Sequence, residues 1–140
     1  MERTLYQPHY DARLNALVFL TRNDEDRDML RTARRVFVCG SLQNPSRMAE
    51  VVGRPLSFAT CFVTGFAHRT LSVGDRLVPF MLATPNDRQH TLPGVLYLGL
   101  TEKELRKIMD VELGDGHRKR VEVQVRVGSH SLEATTFIKK

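Results

Sequence analysis

Val36-Phe37-Val38-Cys39-Gly40-Ser41-Leu42-Gln43-Asn44-Pro45 is the stretch on which the fold turns. Val36 to Val38 are β-branched or aromatic and run into a turn signal, the composition of a buried strand. Gly40 admits backbone angles closed to other residues and lets a ligand come close to the main chain. Asn44 and Pro45 form an N-cap and first-position pair, and Gly53 supplies a stop, so the spacing predicts a helix over Pro45–Val52. A strand that ends in a Gly-Ser turn ahead of a helix aims N–H groups at one point, which suits a carboxylate or phosphate. The local pattern alone fits an ordinary strand–turn–helix connection better. The rest of the chain shifts that weighting.

A chain of 140 residues fits one domain and buries about two thirds of its unfolded surface without covalent staples. Cys39 and Cys61 both sit in apolar runs, which makes them buried thiols and not a disulfide framework. His9, His68, His90, His117 and His130 are scattered without zinc spacing, so no metal is expected. The first residues carry Glu2 and Asp11 around no long apolar core, unlike a secretory signal, and no run reaches the length of a membrane span. A cytoplasmic location is the expectation. The net charge of +5 weakly favours acidic partners. Its densest cluster, Arg118-Lys119-Arg120, enters an alternating strand pattern and contains no aromatic residue for base stacking. It reads as a solvated sheet edge, and nucleic acid is not an expected partner.

Residues 1–35 read as an appendage to a main domain over residues 36–140. Ala12, Leu14, Ala16, Leu17 and Leu20 fit a short helix with an apolar side, although Leu17–Leu20 also fits a strand. The acidic run Asn23–Asp28 is balanced by Arg31, Arg34 and Arg35. In the main domain, strands are expected near Ser57–Thr64, Leu77–Leu82, Thr91–Leu100, Val121–Val127 and Leu132–Ile138. Leu92-Pro93-Gly94 is expected at an edge or turn, because proline cannot donate to a ladder. Thr101-Glu102-Lys103-Glu104 is a capping box opening a helix over Thr101–Glu112, with Leu105, Ile108 and Met109 as its apolar stripe and Gly114-Asp115-Gly116 as its stop. The fold class that follows is α+β, a small mixed, curled, barrel-like sheet with two main short helices.

Two stretches together carry a family resemblance. Phe37-Val38-Cys39-Gly40-Ser41-Leu42, with Asn44-Pro45 and Val52-Gly53-Arg54-Pro55 behind it, resembles the F-V-Y-G-[ST]-L opening of the gamma-glutamylcyclotransferase-like proteins. Pro93-Gly94-Val95-Leu96-Tyr97 looks like that family's next strand, and Leu100-Thr101 through Met109-Asp110 like its helix. Gly114-Asp115-Gly116-His117-Arg118 stands where the family has E-G-x-x-Y-x-R. The motifs run in the family's order from Val36 to the end of the chain.

The resemblance implies intramolecular acyl transfer on a small γ-glutamyl amine or peptide. The free α-amine attacks its own side-chain amide and gives 5-oxoproline plus a free amine, with no cofactor. Such an enzyme must fold the substrate on itself, take a proton from an ammonium and hold an oxyanion. By the resemblance, Cys39, Gly40, Ser41 and Leu42 grip the substrate together with His117, and a glutamate just after the helix is acid and base. Two departures fall at that site. Cys39 and His117 each stand where the family has Tyr, and a gapless match puts Leu113 at the glutamate position, with Glu112 one residue earlier. One residue on a helix is a rotation of about 100°. Glu112 is the best carboxylate in reach, since Asp110 matches a position that is more often structural and Asp115 lies between two glycines. A solvated helix-end glutamate is the plainer reading of it.

Cys39 lacks a sequence-local base and Ser41 lacks the second glycine of a nucleophile elbow, so neither reads as a nucleophile. Two other functions stay open. One is a catalytically silent relative that binds a small carboxylate ligand or a protein partner; the other is a basic interaction protein for an acidic partner.

Overall fold

The computed structural model describes residues 6–12, 15–21 and 34–140. In chain order the elements are β1 (Tyr6–Asp11), β2 (Ala16–Thr21), β3 (Arg34–Val38), a 3-10 turn (Ser41–Gln43), α1 (Pro45–Val52) and β4 (Phe58–Thr64). They continue with β5 (Phe66–Val73), β6 (Arg76–Ala83), β7 (Thr91–Leu100), α2 (Glu102–Leu113), β8 (Arg118–Val127) and β9 (His130–Lys139). Seven strands form one sheet in the order β1-β2-β4-β7-β3-β9-β8, and β8 pairs back onto β4 through Phe62 and Arg126. That last pairing closes β4, β7, β3, β9 and β8 into a five-stranded barrel. The β3–β9 pair is parallel and the other barrel pairs are antiparallel. The fold is the α+β, barrel-like class read from the sequence, with two helices of eight and twelve residues.

Period-2 alternation in β3 divides the core in two. Phe37 joins Ala59, Val63, Leu96, Leu98, Val123 and Val125 on the face shared by the barrel strands. Its neighbours Val36 and Val38 face the other way, onto Met48 and Val52 of α1, Leu105 and Ile108 of α2, and Tyr97. Both faces of the strand are therefore covered. This is why Val36-Phe37-Val38 reads as continuous apolar sequence.

The helices begin where their caps place them. Asn44 Oδ1 accepts from the Ser46 N–H at 3.0 Å, and Gly53 ends α1 at φ 93°, a left-handed angle that favours glycine. At α2, Thr101 Oγ1 accepts from the Glu104 N–H at 3.1 Å while Glu104 Oε1 accepts from the Thr101 N–H at 2.9 Å, closing the capping box. Glu104 also takes Arg54 Nε at 2.6 Å and Nη2 at 3.0 Å, and Lys107 Nζ donates to Val52 O. These contacts tie the end of α1 to the start of α2.

The structure decides three expectations. Of the helix and the strand that the apolar run in the first segment allows, it is the strand, Ala16–Thr21. It pairs with Tyr6–Asp11 along six residues and touches β4 through Phe19 and Phe58, whose rings stack at 4.9 Å. Leu14 and residues 22–33, including the acidic run, lie outside the described residues. Pro93-Gly94 lies inside β7, between β4 and β3. Proline is tolerated there because β3 ends opposite Val95, so Pro93 has a ladder partner on the β4 side alone. Gly94 has a packing reason: a Cβ there would lie 2.5 Å from Val38 O and 2.6 Å from the Phe37 ring. Arg118 is not a solvated edge residue, since its side chain is 16% exposed. The strand Phe66–Val73, half polar in sequence, forms because β6 pairs with it over eight residues.

Candidate functional site

The turn after β3 is held open by contacts from behind. Gln43 Nε2 donates to Cys39 O at 2.7 Å and to Gly40 O at 3.2 Å, and the buried Tyr97 hydroxyl donates to Leu42 O at 2.6 Å. The N–H groups that open such a turn have no partner within it. Above Gly40 an added Cβ would meet nothing within 4 Å. That open space is a pocket of about 100 Å³. Cys39, Gly40 and Ser41 form one side of it, Glu112 and Arg118 supply its charge, and His68, Pro79 and Met81 enter from the β5–β6 hairpin. Thr136 completes the lining, its hydroxyl donating to Phe37 O at 2.9 Å.

Glu112 is on the last turn of α2. The single-residue rotation that separates it from Leu113 sends Leu113 into the helix-side core and Glu112 to the pocket. Its side chain is 23% exposed. Burial raises its carboxyl above the ordinary carboxylate range; the Arg118 charge opposes that and the Asp115 charge adds to it. Arg118 Nε lies 3.8 Å from Glu112 Oε2, an ion pair longer than a hydrogen bond.

Arg118 itself is fixed on three sides. Nη1 donates to Asp115 Oδ2 at 2.9 Å, Nη2 donates to Pro79 O at 2.9 Å, and the guanidinium sits 4.6 Å above the centre of the Phe80 ring. Asp115 also accepts the His117 N–H at 2.9 Å, and that bond leads the effects that hold its carboxyl below the usual range. The loop Gly114-Asp115-Gly116 is thus an anchored turn.

Of the residues singled out in the sequence, the structure brings Cys39, Gly40, Ser41 and Glu112 into one pocket. Leu42 and His117 are not part of its lining. Leu42 is 3% exposed and packs in the helix-side core, and the exposed His117 sets its ring edge-on to Phe80. Cys39 and Cys61 are both free thiols. Burial, followed by the Glu112 charge, pushes the Cys39 thiol up to about 11, so it stays protonated near neutrality. Sequence reasoning missed Arg118, Thr136 and the hairpin residues. For Arg118 the available signal was Asp115, an Asx-turn residue three positions upstream.

Ser41, Glu112 and Arg118 also line a larger groove of about 510 Å³, bordered by Leu42, Arg47, Glu50, Val51 and Val111. The shared residues make it an outer continuation of the pocket. Among the described residues no group of three or more His, Cys, Asp or Glu is placed to hold a metal, and no helix is long and apolar enough to cross a membrane.

Comparison with known proteins bears on the same residues. The solution structure of an Arabidopsis thaliana protein superimposes with a TM-score of 0.62 at 25% identity, covering 76% of this chain and 62% of that one. The chain thus spans less than two thirds of that relative. A mouse AIG2-like protein gives 0.54 at 20% identity, over 76% of this chain and 77% of that one. A structure described as gamma-glutamyl cyclotransferase gives 0.61 at 12% identity, over 77% and 67%, a likeness of fold alone. No curated protein matches. A family model described as gamma-glutamyl cyclotransferase, AIG2-like, matches residues 36–140. Because those residues carry the closed barrel and every side chain of the inner pocket, the chain belongs to the gamma-glutamyl cyclotransferase, AIG2-like family.

Proposed function

We propose that the protein is a cyclotransferase acting on a small γ-glutamyl amine or peptide. One observation carries this reading: Glu112, a desolvated carboxylate, shares a pocket with the open Gly40–Ser41 backbone. Glu112 is the base. It takes a proton from the substrate's α-ammonium, and burial brings its basicity nearer to that of an amine. The freed amine attacks the γ-carbonyl carbon and closes a five-membered ring. Negative charge gathers on the carbonyl oxygen, where the N–H groups of the turn receive it. The ring nitrogen gives up its second proton to solvent, and the tetrahedral intermediate collapses with cleavage of the bond to the leaving nitrogen, which receives the first proton from Glu112. The products are 5-oxoproline and a free amine. The outer groove gives the amine a place to sit and a way out.

Both reacting groups belong to one molecule, so the pocket acts chiefly by selecting the folded conformer of its substrate. The half-buried Cys39 thiol has no part in the chemistry.

The test is a panel of γ-glutamyl amines, amino acids and dipeptides, with released 5-oxoproline measured by chromatography. Turnover of any member supports the proposal. Thermal stabilisation by glutamate-like ligands without turnover would make the protein a silent, carboxylate-binding relative. Steeply salt-dependent binding to nucleic acid, with neither of these, would favour the basic interaction protein.

A further inference from the structure

We propose that His68 is a second proton carrier in the pocket, taking the proton that the ring nitrogen must still lose after attack and passing it to solvent. The inference rests on the cyclotransferase reading and assigns a residue to the one proton transfer that Glu112 cannot perform.

An α-ammonium that ends as a ring amide N–H gives up two protons, whereas a carboxylate takes one. Glu112 holds the first from the attack until the leaving nitrogen collects it. While the attacking nitrogen still carries the second, it is the better leaving group, and the intermediate falls back to substrate. A second acceptor therefore decides which way the intermediate breaks. Few side chains of the pocket could serve. The Arg118 guanidinium has no acceptor, and the Cys39 thiol, pushed up to about 11, keeps its own proton. The hydroxyls of Ser41 and Thr136 are weak bases, and that of Thr136 is already committed to Phe37 O. His68 remains, and an imidazole both takes and gives up a proton near neutrality.

The β5–β6 hairpin puts His68 where a carrier is useful. The two strands pair so that His68 stands opposite Met81. Met81 is buried, and the Thr136 hydroxyl on β9 donates to its sulfur at 3.6 Å, which seats the hairpin on the barrel. His68 thus lines the inner pocket and is also exposed to solvent, the two places between which the proton must travel. Among the described residues its ring has no hydrogen-bond or ion-pair partner, so both nitrogens are available. A molecule that fills about 100 Å³ meets Glu112 from α2 and His68 from β5 together. The charged and titratable groups that share the pocket with His68 are Glu112, Arg118 and Cys39, while its neighbour Arg69 alternates onto the other face of β5. One N–H bond of the ring nitrogen breaks and one forms at an imidazole nitrogen. The imidazolium returns that proton to water, and the leaving nitrogen departs with the proton from Glu112.

The experiment measures 5-oxoproline release from γ-glutamyl ethylamide, and from each other panel member that turns over, by the full chain and by His68→Gln and His68→Ala. In His68→Gln kcat should fall roughly 10- to 100-fold, because water replaces the lost base poorly, while KM changes by less than about threefold. Wild-type kcat should decline toward acid as both Glu112 and His68 take up protons, and the part due to the histidine should be missing from the His68→Gln profile. Added imidazole should raise the rate of His68→Ala roughly tenfold and leave that of Glu112→Gln unchanged. Turnover by His68→Gln at the wild-type rate overturns the carrier and leaves the cyclotransferase reading intact. A fall in kcat that is equal at every pH, and that imidazole does not restore, makes His68 a packing residue and also overturns the carrier. No 5-oxoproline from the wild type with any panel member overturns both. Free imidazole cannot repair a disturbed hairpin, so the rescue still decides the matter for a variant that melts below the wild type.

Discussion

The Cys39–Ser41 side of the pocket is main chain held by contacts close in sequence, whereas the side carrying Glu112 and Arg118 is charge held by contacts across the fold. On the first, Gln43 ties the turn from within four residues, and one distant hydroxyl, that of Tyr97, supports it. On the second, Arg118 depends on Asp115 from the preceding loop and on Pro79 and Phe80 from a hairpin some forty residues away in sequence. The difference teaches where each kind of catalytic group is secured. Backbone donors need only a correct local turn. Charged side chains brought into a pocket need neighbours that compensate their desolvation, and these come from wherever the barrel closes.

The largest expected effect tests the charged side. Glu112→Gln keeps the shape and removes the base, so 5-oxoproline release should fall by roughly 100-fold or more, with ligand binding preserved in calorimetry. Unchanged turnover would move the base elsewhere and dissolve the contrast between the two sides.

Next in size is Gly94→Ala, which attacks the strand behind the turn. Its Cβ would enter the space of Val38 O and the Phe37 ring, and the backbone cannot yield as a flexible side chain does. A loss of about 1–3 kcal/mol in denaturant unfolding is expected. Tyr97→Phe is milder. It removes a long-range bond to the turn and leaves Leu42 O without that donor in a buried place, costing about 1–2 kcal/mol. Its fall in kcat/KM should be smaller than that of Glu112→Gln.

Stability against pH sharpens the comparison further. The folded state holds the Glu112 proton more tightly than the unfolded chain does, because burial raises its carboxyl. Between the unfolded value and the raised folded value the native state therefore binds more protons, and this residue's contribution to stability falls as pH rises. Above that window the cost of the buried charge is fully present. Glu112→Gln should remove this downward contribution, so the variant should match or exceed the wild type in urea unfolding at neutral pH. A variant less stable than the wild type there would mean that Glu112 serves the fold and not the site. The smallest effect belongs to Cys39→Ala: a thiol pushed up to about 11 is not a working nucleophile, and turnover should hold within about threefold.

Legibility followed the same division. Asn44-Pro45 with Gly53, and Thr101 with Glu104, placed both helices to within a residue, because a cap acts over four residues of chain. From sequence, the run at Ala16–Thr21 fits a helix or a strand. Its apolar residues fit both periods, and pairing with Tyr6–Asp11 and with Phe58 chose between them. Pro93 reads as an edge or turn residue, and inside β7 it is a local edge because β3 stops short of it, which the sequence does not reveal. Glu112 was singled out, but whether it or Leu113 turns to the pocket depended on how α2 seats against the barrel.

By itself the sequence determined the alternation that gives β3 two covered faces, the caps that start and stop the helices, and the glycine turn with its exposed main chain. These are matters of spacing over a few residues. Only the tertiary structure decided the closure of β8 onto β4, the inward turn of Arg118, the entry of His68 and Pro79 into the pocket, and the seating of Leu113 that leaves Glu112 facing it. Each of these is a contact between segments far apart in sequence. The gain that fixes them, shared burial and the pairing of desolvated charges, exists only once the barrel has brought the segments together.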